Sequence, residues 1–341
     1  MNCYASSYIS GLGNEIEKWL KQIYSDCQIV YNFDGLIVYK TSQKQLNLSF
    51  FNNTFLVLAY AKCSGGELNK DILTFVNNIN IDFAKIREFQ QVKGTTFKIL
   101  TYDKNQPSQI DYKNLKPIEK SIEKETGLKL GERKHDVDFV LSRRSENIIL
   151  FMLKLTYQRK TEKDLGKGSL RPELAYILAK IADIKDTDVC MDMFCGSGAI
   201  PKQIIKNFTY NMIFASDIDE VKILKLKKEY KGNNKKLYIK QRDALNLDYF
   251  KDGFIDKIIT DPPWNEYNST GENFTEFYIS SLTEISRLLK DDGKAVILMG
   301  NIKEFEQALN MVKTLTATQV FNILVNGKKA NIYVLIKKTP D

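Results

Sequence analysis

A short run of residues near position 260 combines groups that could orient an amino group. It reads Asp261-Pro262-Pro263-Trp264 and follows the largely apolar run 255–260. Two successive prolines fix the backbone and donate no N–H, which leaves carbonyl oxygens free to accept hydrogen bonds. The Asp261 carboxylate and the Pro262 carbonyl could accept both hydrogens of an exocyclic amine, and Trp264 offers a flat face for a base. We predict these four residues as the catalytic set for chemistry at the amino group of a nucleobase.

A glycine loop lies upstream, between a predicted strand and a predicted helix. Its residues are Asp192, Met193, Phe194, Cys195, Gly196, Ser197 and Gly198. Glycines at the carboxyl end of a strand let the backbone approach a nucleotide-like cofactor closely. No third glycine follows, and the acidic Asp192 repels a pyrophosphate, so a dinucleotide is disfavoured. The carboxylate suits the ammonium and sulfonium of S-adenosylmethionine, and we predict that this cofactor contacts Asp192, Phe194, Cys195, Gly196, Ser197 and Gly198.

Two further strand ends carry acidic residues. Asp217 stands about 20 residues after the glycine loop, where a carboxylate can accept hydrogen bonds from both ribose hydroxyls. Ile218 either packs on the adenine ring or belongs to the core, and Asp219 is predicted as a helix N-cap. Asp243, followed by Ala244, either accepts from the adenine amino group or caps a short helix. Asp217, Ile218, Asp243 and Ala244 complete the predicted cofactor site.

Strand and helix patterns alternate through the second half of the chain, which predicts a parallel sheet with helices on both faces. The predicted helices are 172–182, one after Gly198, 222–230 and 274–289, and the predicted strands are 189–193, 212–216, 237–241, 255–260 and 295–299. Two more runs, 319–325 and 331–336, flank Asn326-Gly327, a hairpin signal. An antiparallel pair is therefore expected to end an otherwise parallel sheet, and the fold class is α/β.

The first half predicts smaller α+β modules. A βαββ unit has a helix near 14–24 and strands at 28–33 and 36–40, joined by Asp34-Gly35, which suits a type I′ turn. The next stretch has predicted strands at 54–61, 96–101, 137–141 and 147–155, with helices at 69–78 and 115–126. Gly127 stands where a left-handed residue ends a helix.

Composition sets outer limits on the function. The 341 residues carry a formal net charge of +8, which favours an anionic partner. The five cysteines are scattered, which disfavours a disulfide framework, and Cys195 lacks a nearby base, so packing or cofactor contact suits it better than nucleophilic attack. The single histidine, His135, is expected to be a loop residue, and no metal is expected. The N-terminus does not resemble a signal peptide, and no run is apolar enough to cross a membrane, so we expect a cytoplasmic protein.

The order of these motifs resembles that of the class I Rossmann-like methyltransferases over residues 169–338. The resemblance implies that 192–198 is the cofactor loop, that Asp217 is the acidic ribose residue and that 261–264 is the motif of enzymes that methylate amino groups. It also implies a sheet that ends in an antiparallel hairpin. This signature is shared by adenine-N6 and guanine-N2 enzymes.

The residues before the catalytic half favour RNA, and tRNA first, as the substrate. Residues 126–129 followed by 136–141 resemble the end of a THUMP domain, and the βαββ unit resembles the ferredoxin-like domain that accompanies it. Ser169-Leu170-Arg171-Pro172 resembles the entry to the catalytic domain of THUMP-linked tRNA guanine-N2 methyltransferases. The implied domains are ferredoxin-like (1–50), THUMP-like (51–157), a linker (158–168) and the methyltransferase domain (169–341).

Three hypotheses remain open from the sequence. The first is methylation of guanine N2 in tRNA, the second is methylation of adenine N6 in ribosomal RNA or DNA, and the third is a non-catalytic RNA-binding protein that retains the scaffold. Asn265 keeps the second open, because many guanine-N2 enzymes have glycine after the aromatic residue. Candidate phosphate contacts are Lys85, Arg87, Lys93, Lys98, Arg143 and Arg144. The sequence does not indicate an oligomeric state.

Overall fold

The chain folds into two compact units, one holding residues 1–8 and 13–159 and the other residues 9–12 and 160–341. The computed structural model describes residues 1–44, 48–83, 86, 89, 95–131, 135–156, 169–230, 234–264, 274–325 and 327–338. The predicted linker, 158–168, lies outside the described residues. Among the described residues, no helix is both long and apolar enough to span a membrane.

Nine strands of the first unit form one mixed sheet among the described residues. Its strands are β1 (Asn2–Ser7), β2 (Gln28–Phe33), β3 (Leu36–Thr41), β4 (Asn53–Lys62), β5 (Thr96–Asp103), β6 (Gln106–Pro107), β7 (Lys129–Leu130), β8 (Val137–Arg143) and β9 (Ile148–Lys154). The helices are α1 (Gly13–Ile23), α2 (Leu68–Asn78) and α3 (Tyr112–Thr126). The order is β2-β3-β1-β4-β9-β8-β5-β6, with β7 beside β5.

The predicted boundary at residue 50 falls within this continuous sheet. Strand β4 pairs with β1 on one side and with β9 on the other. Strands β8 and β9 are almost entirely buried at the centre of the sheet, which explains the apolar run 148–153 of β9. The two predicted domains therefore share backbone hydrogen bonds. Their division into ferredoxin-like and THUMP-like domains stays a prediction.

The turns of the first unit agree with the sequence in part. Gly127 ends α3 in the left-handed conformation, with φ 76°, as predicted. The type I′ prediction for Asp34-Gly35 is wrong, because only Gly35 has a positive φ. Tertiary contacts hold this turn instead: the Asp34 carbonyl accepts from Arg144, and the Gly35 carbonyl accepts from the Tyr8 N–H.

Arg143 and Arg144 are buried rather than displayed to solvent, so the prediction that they contact phosphates is wrong. Arg143 is 4% exposed and donates to Asp71 at 2.8 Å and to Asp103 at 2.8 and 3.0 Å. These hydrogen bonds hold the pKa of Asp103 below its ordinary value. Arg144 is 6% exposed and donates to Asn105. Both guanidinium groups link segments of the first unit.

The other basic residues that were predicted to contact phosphates differ in where they lie. Lys98 is exposed on β5, whereas Lys85, Arg87 and Lys93 lie outside the described residues. His135 lies outside helices and strands, as predicted, and its Nε2 is 2.6 Å from the Asp138 carboxylate.

The second unit has a seven-stranded sheet among the described residues, in the order β12-β11-β10-β13-β14-β16-β15. Its strands are β10 (Val189–Asp192), β11 (Met212–Asp217), β12 (Leu237–Gln241), β13 (Ile255–Thr260), β14 (Leu289–Met299), β15 (Leu315–Val325) and β16 (Lys328–Lys337). The helices are α4 (Pro172–Ala182), α5 (Ala199–Asn207), α6 (Glu220–Tyr230), α7 (Phe274–Leu288) and α8 (Ile302–Met311). Strands β10 to β14 are parallel, and β16 is antiparallel to β14 and β15, as predicted.

Helix α8 and the early starts of β14 and β15 were not predicted from the sequence. Helix α8 buries only Phe305 and Ala308, so its apolar stripe is too short to stand out among polar residues. Strand β14 begins at Leu289, and its polar residues 290–292 conceal its first half. The elements that carry the predicted motifs were nevertheless placed correctly.

The strand order creates a crevice beside β10. From β10 the chain continues to β11 on one side and later returns to β13 on the other. Ligands of open α/β sheets bind at such a switch point, outside the carboxyl ends of the strands. Asp192 ends β10, Asp217 ends β11 and Asp261 directly follows β13, so the topology brings the three acidic residues to one edge.

Replacing Arg143 with alanine tests its structural role. The variant leaves Asp71 and Asp103 as carboxylates without their guanidinium partner, which we expect to destabilise the first unit by about 3–5 kcal/mol. Urea unfolding measures the change, and Lys98→Ala is the exposed control, expected within about 0.5 kcal/mol of wild type. Wild-type stability of Arg143→Ala combined with weaker RNA binding would restore the phosphate-contact interpretation.

Candidate active site

Asp192 is the most deeply buried of the acidic residues at the crevice. Its side chain is 2% exposed, and its Oδ1 accepts from the Thr260 hydroxyl at 2.8 Å and from the Phe194 N–H at 3.3 Å. Burial, together with the nearby carboxylates of Asp261 and Asp217, raises the pKa of Asp192 to about 8, against the effect of these hydrogen bonds. Among the described residues no Lys or Arg forms an ion pair with Asp192. The carboxyl is therefore placed to receive a cation from a ligand.

Asp217 organises the glycine loop. Its Oδ2 accepts from the Gly196 N–H at 2.8 Å, and its Oδ1 accepts from the Asp219 N–H at 2.9 Å. The loop is also tied to β11 by the Cys195 N–H, which donates to the Ser216 carbonyl at 2.8 Å. Asp217 thus connects the loop with the start of α6, a role that the sequence analysis did not assign to it.

The two loop glycines have different reasons to be glycine. Gly198 has a φ of 79° at the start of α5, and a Cβ there would lie 2.4 Å from Leu226 Cδ1. Gly196 has a φ of 50°, and a Cβ there would meet no atom within 4 Å. Gly198 is therefore required by packing, whereas Gly196 borders open space in which a ligand can approach the backbone.

The remaining loop residues divide by exposure. Phe194 is partly buried and its ring centroid is 5.8 Å from that of Phe277, whereas Ser197 is exposed. The Cys195 side chain is 5% exposed and packs in the core, and burial raises the pKa of its thiol. This agrees with a packing role, and leaves the Cys195 backbone as the part that can approach a cofactor.

The residues predicted for the adenosine part of the cofactor lie at the ends of β11 and β12. Ile218 is 68% exposed, so it is not a core residue. Asp219 Oδ1 accepts from the N–H groups of Val221 and Lys222, which confirms its N-cap role. Asp243 is exposed and its Oδ1 accepts from the Leu245 N–H, so it caps a turn rather than a helix. Ala244 is buried, and cofactor contacts of these residues stay predictions.

Among the described residues, two hydrogen bonds hold the Asp-Pro-Pro-Trp motif within the unit. The Trp264 indole N–H donates to Asp261 Oδ1 at 2.9 Å, and the Tyr278 hydroxyl donates to the Pro263 carbonyl at 2.6 Å. Burial raises the pKa of Asp261 to about 7, although the Trp264 hydrogen bond opposes this. No donor to the Pro262 carbonyl is found among the described residues, and Pro262 directly follows Asp261 in the sequence, so the two consecutive residues can each supply an acceptor.

The sequence-based predictions assigned no role to Thr260, Tyr278 or Gly300. Thr260 is the last residue of β13 and is fully buried, and a polar residue at the end of an apolar strand was an available signal. A Cβ on Gly300 would lie 2.2 Å from Trp264 Cε3, so the indole needs a glycine beneath it. Neither Gly300 nor Tyr278 has a local sequence signal, because each depends on where the indole and the motif backbone lie.

The residues at the crevice fit S-adenosylmethionine. The buried carboxyl of Asp192 suits the ammonium of the methionine part, and the open side of Gly196 allows the backbone to lie close to the ligand. Ile218 is exposed beside Asp217, as a surface for an adenine ring requires. No group of three or more potential metal ligands is found among the described residues.

A family model described as the RMKL-like methyltransferase domain matches residues 159–331, about half of the chain. The chain belongs to this family. Membership confirms the resemblance to S-adenosylmethionine-dependent methyltransferases, and with it the cofactor class predicted from the glycine loop.

Two named proteins are similar in sequence to part of the chain. The mouse tRNA (guanine(6)-N(2))-methyltransferase THUMP3 is 26% identical over 221 residues, which cover 60% of this chain and 43% of the relative. The probable tRNA (guanine(10)-N2)-dimethyltransferase of Methanothermococcus thermolithotrophicus is 30% identical over 139 residues, 36% of this chain and 77% of the relative. The chain thus spans less than half the length of the mouse relative.

Solved structures confirm the fold. TrmN from Thermus thermophilus superposes with a TM-score of 0.80 at 17% identity, covering 99% of this chain and 100% of that protein. A possible methylase from Clostridium difficile has a TM-score of 0.71 at 18% identity, covering 100% and 99%. At these identities the likeness establishes the architecture of both units and no more.

The two loop glycines allow a matched pair of substitutions. Both Gly198→Ala and Gly196→Ala place a side chain at positive φ, which costs about 1–2 kcal/mol. Gly198→Ala adds a clash with Leu226, so we expect about 1–3 kcal/mol of further destabilisation in urea unfolding. Gly196→Ala has no clash, and we expect its main effect to be a higher Kd for S-adenosylmethionine in calorimetry. Wild-type cofactor affinity in Gly196→Ala would contradict this placement of the cofactor.

Proposed function

We propose that this protein is an S-adenosylmethionine-dependent methyltransferase that modifies the N2 amino group of a guanosine in tRNA. The observation that carries the proposal is the pair of neighbouring acceptors at the crevice, the Asp261 carboxylate and the Pro262 carbonyl. The tRNA guanine-N2 methyltransferases among its relatives support the choice of amine and of RNA.

One end of the site suits the cofactor, which when bound supplies an electrophilic methyl group on a sulfonium. Asp192 is placed to balance the charge of the cofactor ammonium, and Asp217 to accept from ribose hydroxyls while it holds the Gly196 N–H. Phe194, Ser197 and the loop backbone would line the methionine part. Ile218, with Asp243 and Ala244, would lie along the adenine.

The other end of the site orients the substrate amine. The lone pair of an exocyclic amine is delocalised into the base, so the free amine is a poor nucleophile. When Asp261 and the Pro262 carbonyl each accept one amine hydrogen, the nitrogen lone pair is directed to one side and its electron density rises. The Trp264 ring would stack on the flipped guanine, since base–aromatic stacking contributes about 1–3 kcal/mol per base.

Asp261 also provides a place for the proton that the methylated amine must lose. Its pKa of about 7 means that the carboxyl is readily ionised at neutral pH and readily protonated afterwards. The ionised form is the acceptor, so the fraction of competent enzyme increases as the pH rises through 7.

The first unit is proposed to bind the RNA backbone. The net charge of +8 favours an anionic partner, and Lys98 is an exposed basic side chain on its sheet. A tRNA substrate is compatible with the cytoplasmic location that we propose for the reaction. Removal of residues 1–155 tests this role by its effect on RNA affinity.

Methyl transfer to total tRNA and ribosomal RNA, followed by nucleoside mass spectrometry, tests the proposed function. We expect N2-methylguanosine in tRNA. Methyl groups found only on adenine N6 would favour the second hypothesis, since the same motif serves adenine enzymes. Cofactor binding without transfer to any nucleic acid would favour a non-catalytic RNA-binding protein.

Substitutions of Asp261 separate chemistry from cofactor binding. Asp261→Ala should lower kcat by about 100-fold or more, because an acceptor that orients the amine is lost, with the Kd for S-adenosylmethionine nearly unchanged. Asp261→Asn keeps an acceptor oxygen without charge, and we expect it to retain more activity and to lose the rise in kcat through pH 7. Kinetics between pH 5.5 and 8.5 and calorimetry measure both effects. Equal losses of kcat and cofactor affinity would contradict the role of Asp261.

A further inference from the structure

The Trp264 side chain makes two contacts that stacking on a base does not require. Its Nε1 donates to Asp261 Oδ1 at 2.9 Å, and its ring lies directly over Gly300. The ring also packs against the core of the second unit, so its position is set by the protein before any base enters. An indole that served only as a stacking surface would not need its N–H directed at the acidic residue of the same motif.

The backbone of the motif is fixed independently of Trp264. Tyr278 is 1% exposed, and its hydroxyl holds the Pro263 carbonyl at 2.6 Å. The two prolines remove further backbone freedom. The main remaining freedom at Asp261 is rotation of its side chain, and the Trp264 N–H restricts that rotation.

We infer that Trp264 is a positioning residue, whose indole N–H binds one oxygen of Asp261 so that the other faces the substrate amine. This inference rests on the proposed function and deepens it. Trp264 acts on the reaction through Asp261, in addition to the stacking role proposed above. Gly300 contributes to the same arrangement, because its lack of a side chain lets the indole lie where its N–H reaches Asp261.

The hydrogen bond also affects the charge of Asp261. A donor to a carboxylate favours the ionised form, whereas burial favours the neutral form. Among the residues that the structure describes, the titratable groups that interact with this carboxyl are Asp192, on β10, and Tyr278, on α7. Loss of the indole N–H leaves burial unopposed, so the pKa of Asp261 should rise above 7.

Trp264→Phe is the central test, because it keeps an aromatic face and removes the N–H. We expect kcat at pH 7 to fall at least tenfold, and the acidic limb of the kcat profile to move by about one pH unit to higher pH, since a hydrogen bond to a charged group has about that effect. KM for RNA should change less than kcat. Unchanged kcat and pH profile, with a raised KM, would show that Trp264 only stacks and would overturn the inference.

Gly300→Ala provides a second variant that retains every functional group. The added methyl group displaces the indole from its place over residue 300, so the pH profile should move in the same direction as in Trp264→Phe. A wild-type profile in Gly300→Ala, with the protein folded by circular dichroism, would count against the geometry.

A fluorescence titration tests the contact without any methyl transfer. The chain has two tryptophans, and subtracting the Trp264→Phe spectrum isolates the signal of Trp264. We expect that signal to titrate with a midpoint near pH 7 and to stop titrating in Asp261→Asn. No titration in the wild-type protein would overturn the inference even if the enzyme is active. A clear titration in a protein that methylates no RNA would instead mean that the proposed function has failed.

Discussion

The carboxyl groups of Asp192, Asp217 and Asp261 lie at the carboxyl ends of parallel strands in one sheet, and burial disfavours the charge of Asp192 and Asp261. The effect is largest at Asp192, whose pKa burial raises to about 8. Asp217 accepts two backbone N–H bonds, and the charged form of Asp261 is stabilised in part by the Trp264 indole N–H. A folded-state pKa above the unfolded value means that Asp192 stabilises the fold less as the pH rises from about 4 to about 8. A cation bound beside it removes this penalty.

The same constraint explains why the proposed cofactor and substrate sites are adjacent. Thr260 and Asp261 are consecutive, and the Thr260 hydroxyl reaches back to Asp192 on the neighbouring strand. Because β10 and β13 pair in parallel, their carboxyl ends lie next to each other. Only the Thr260 side chain separates Asp192, which we propose for the cofactor, from Asp261, which we propose for the substrate. The sheet therefore sets the distance between the two proposed sites, across which a methyl group would be transferred. The loops that flank the sheet need only fit the shapes of the two ligands.

Periodic apolar runs and glycine spacing were sufficient to predict the elements that carry the site. Strands β12 and β13 and helix α4 have the bounds expected from the sequence, because apolar runs with clear polar or proline boundaries define them. Helix α8 was missed because two buried residues make too weak a stripe.

Long-range contacts set the limit of sequence reasoning in both units. From the sequence, Arg143 is expected to be an exposed cation next to Arg144. Only the folded chain brings Asp71 and Asp103 into contact with it. Asp261 was predicted from its motif, but its bond to Trp264 depends on the absence of a side chain at Gly300. Arg143 is 72 residues from Asp71 and 40 from Asp103, so no local pattern connects these positions.

Proton release on cofactor binding tests most directly whether the buried carboxyl of Asp192 receives the positive charge of the cofactor. Calorimetry of S-adenosylmethionine binding at pH 7, in buffers of different ionisation enthalpy, counts the protons that leave the complex. A pKa of about 8 for Asp192 means that it is mostly protonated before binding, so we expect the release of close to one proton, and almost none in Asp192→Asn. Binding to the wild-type protein without proton release would contradict the claim that a buried carboxyl receives the cofactor's positive charge.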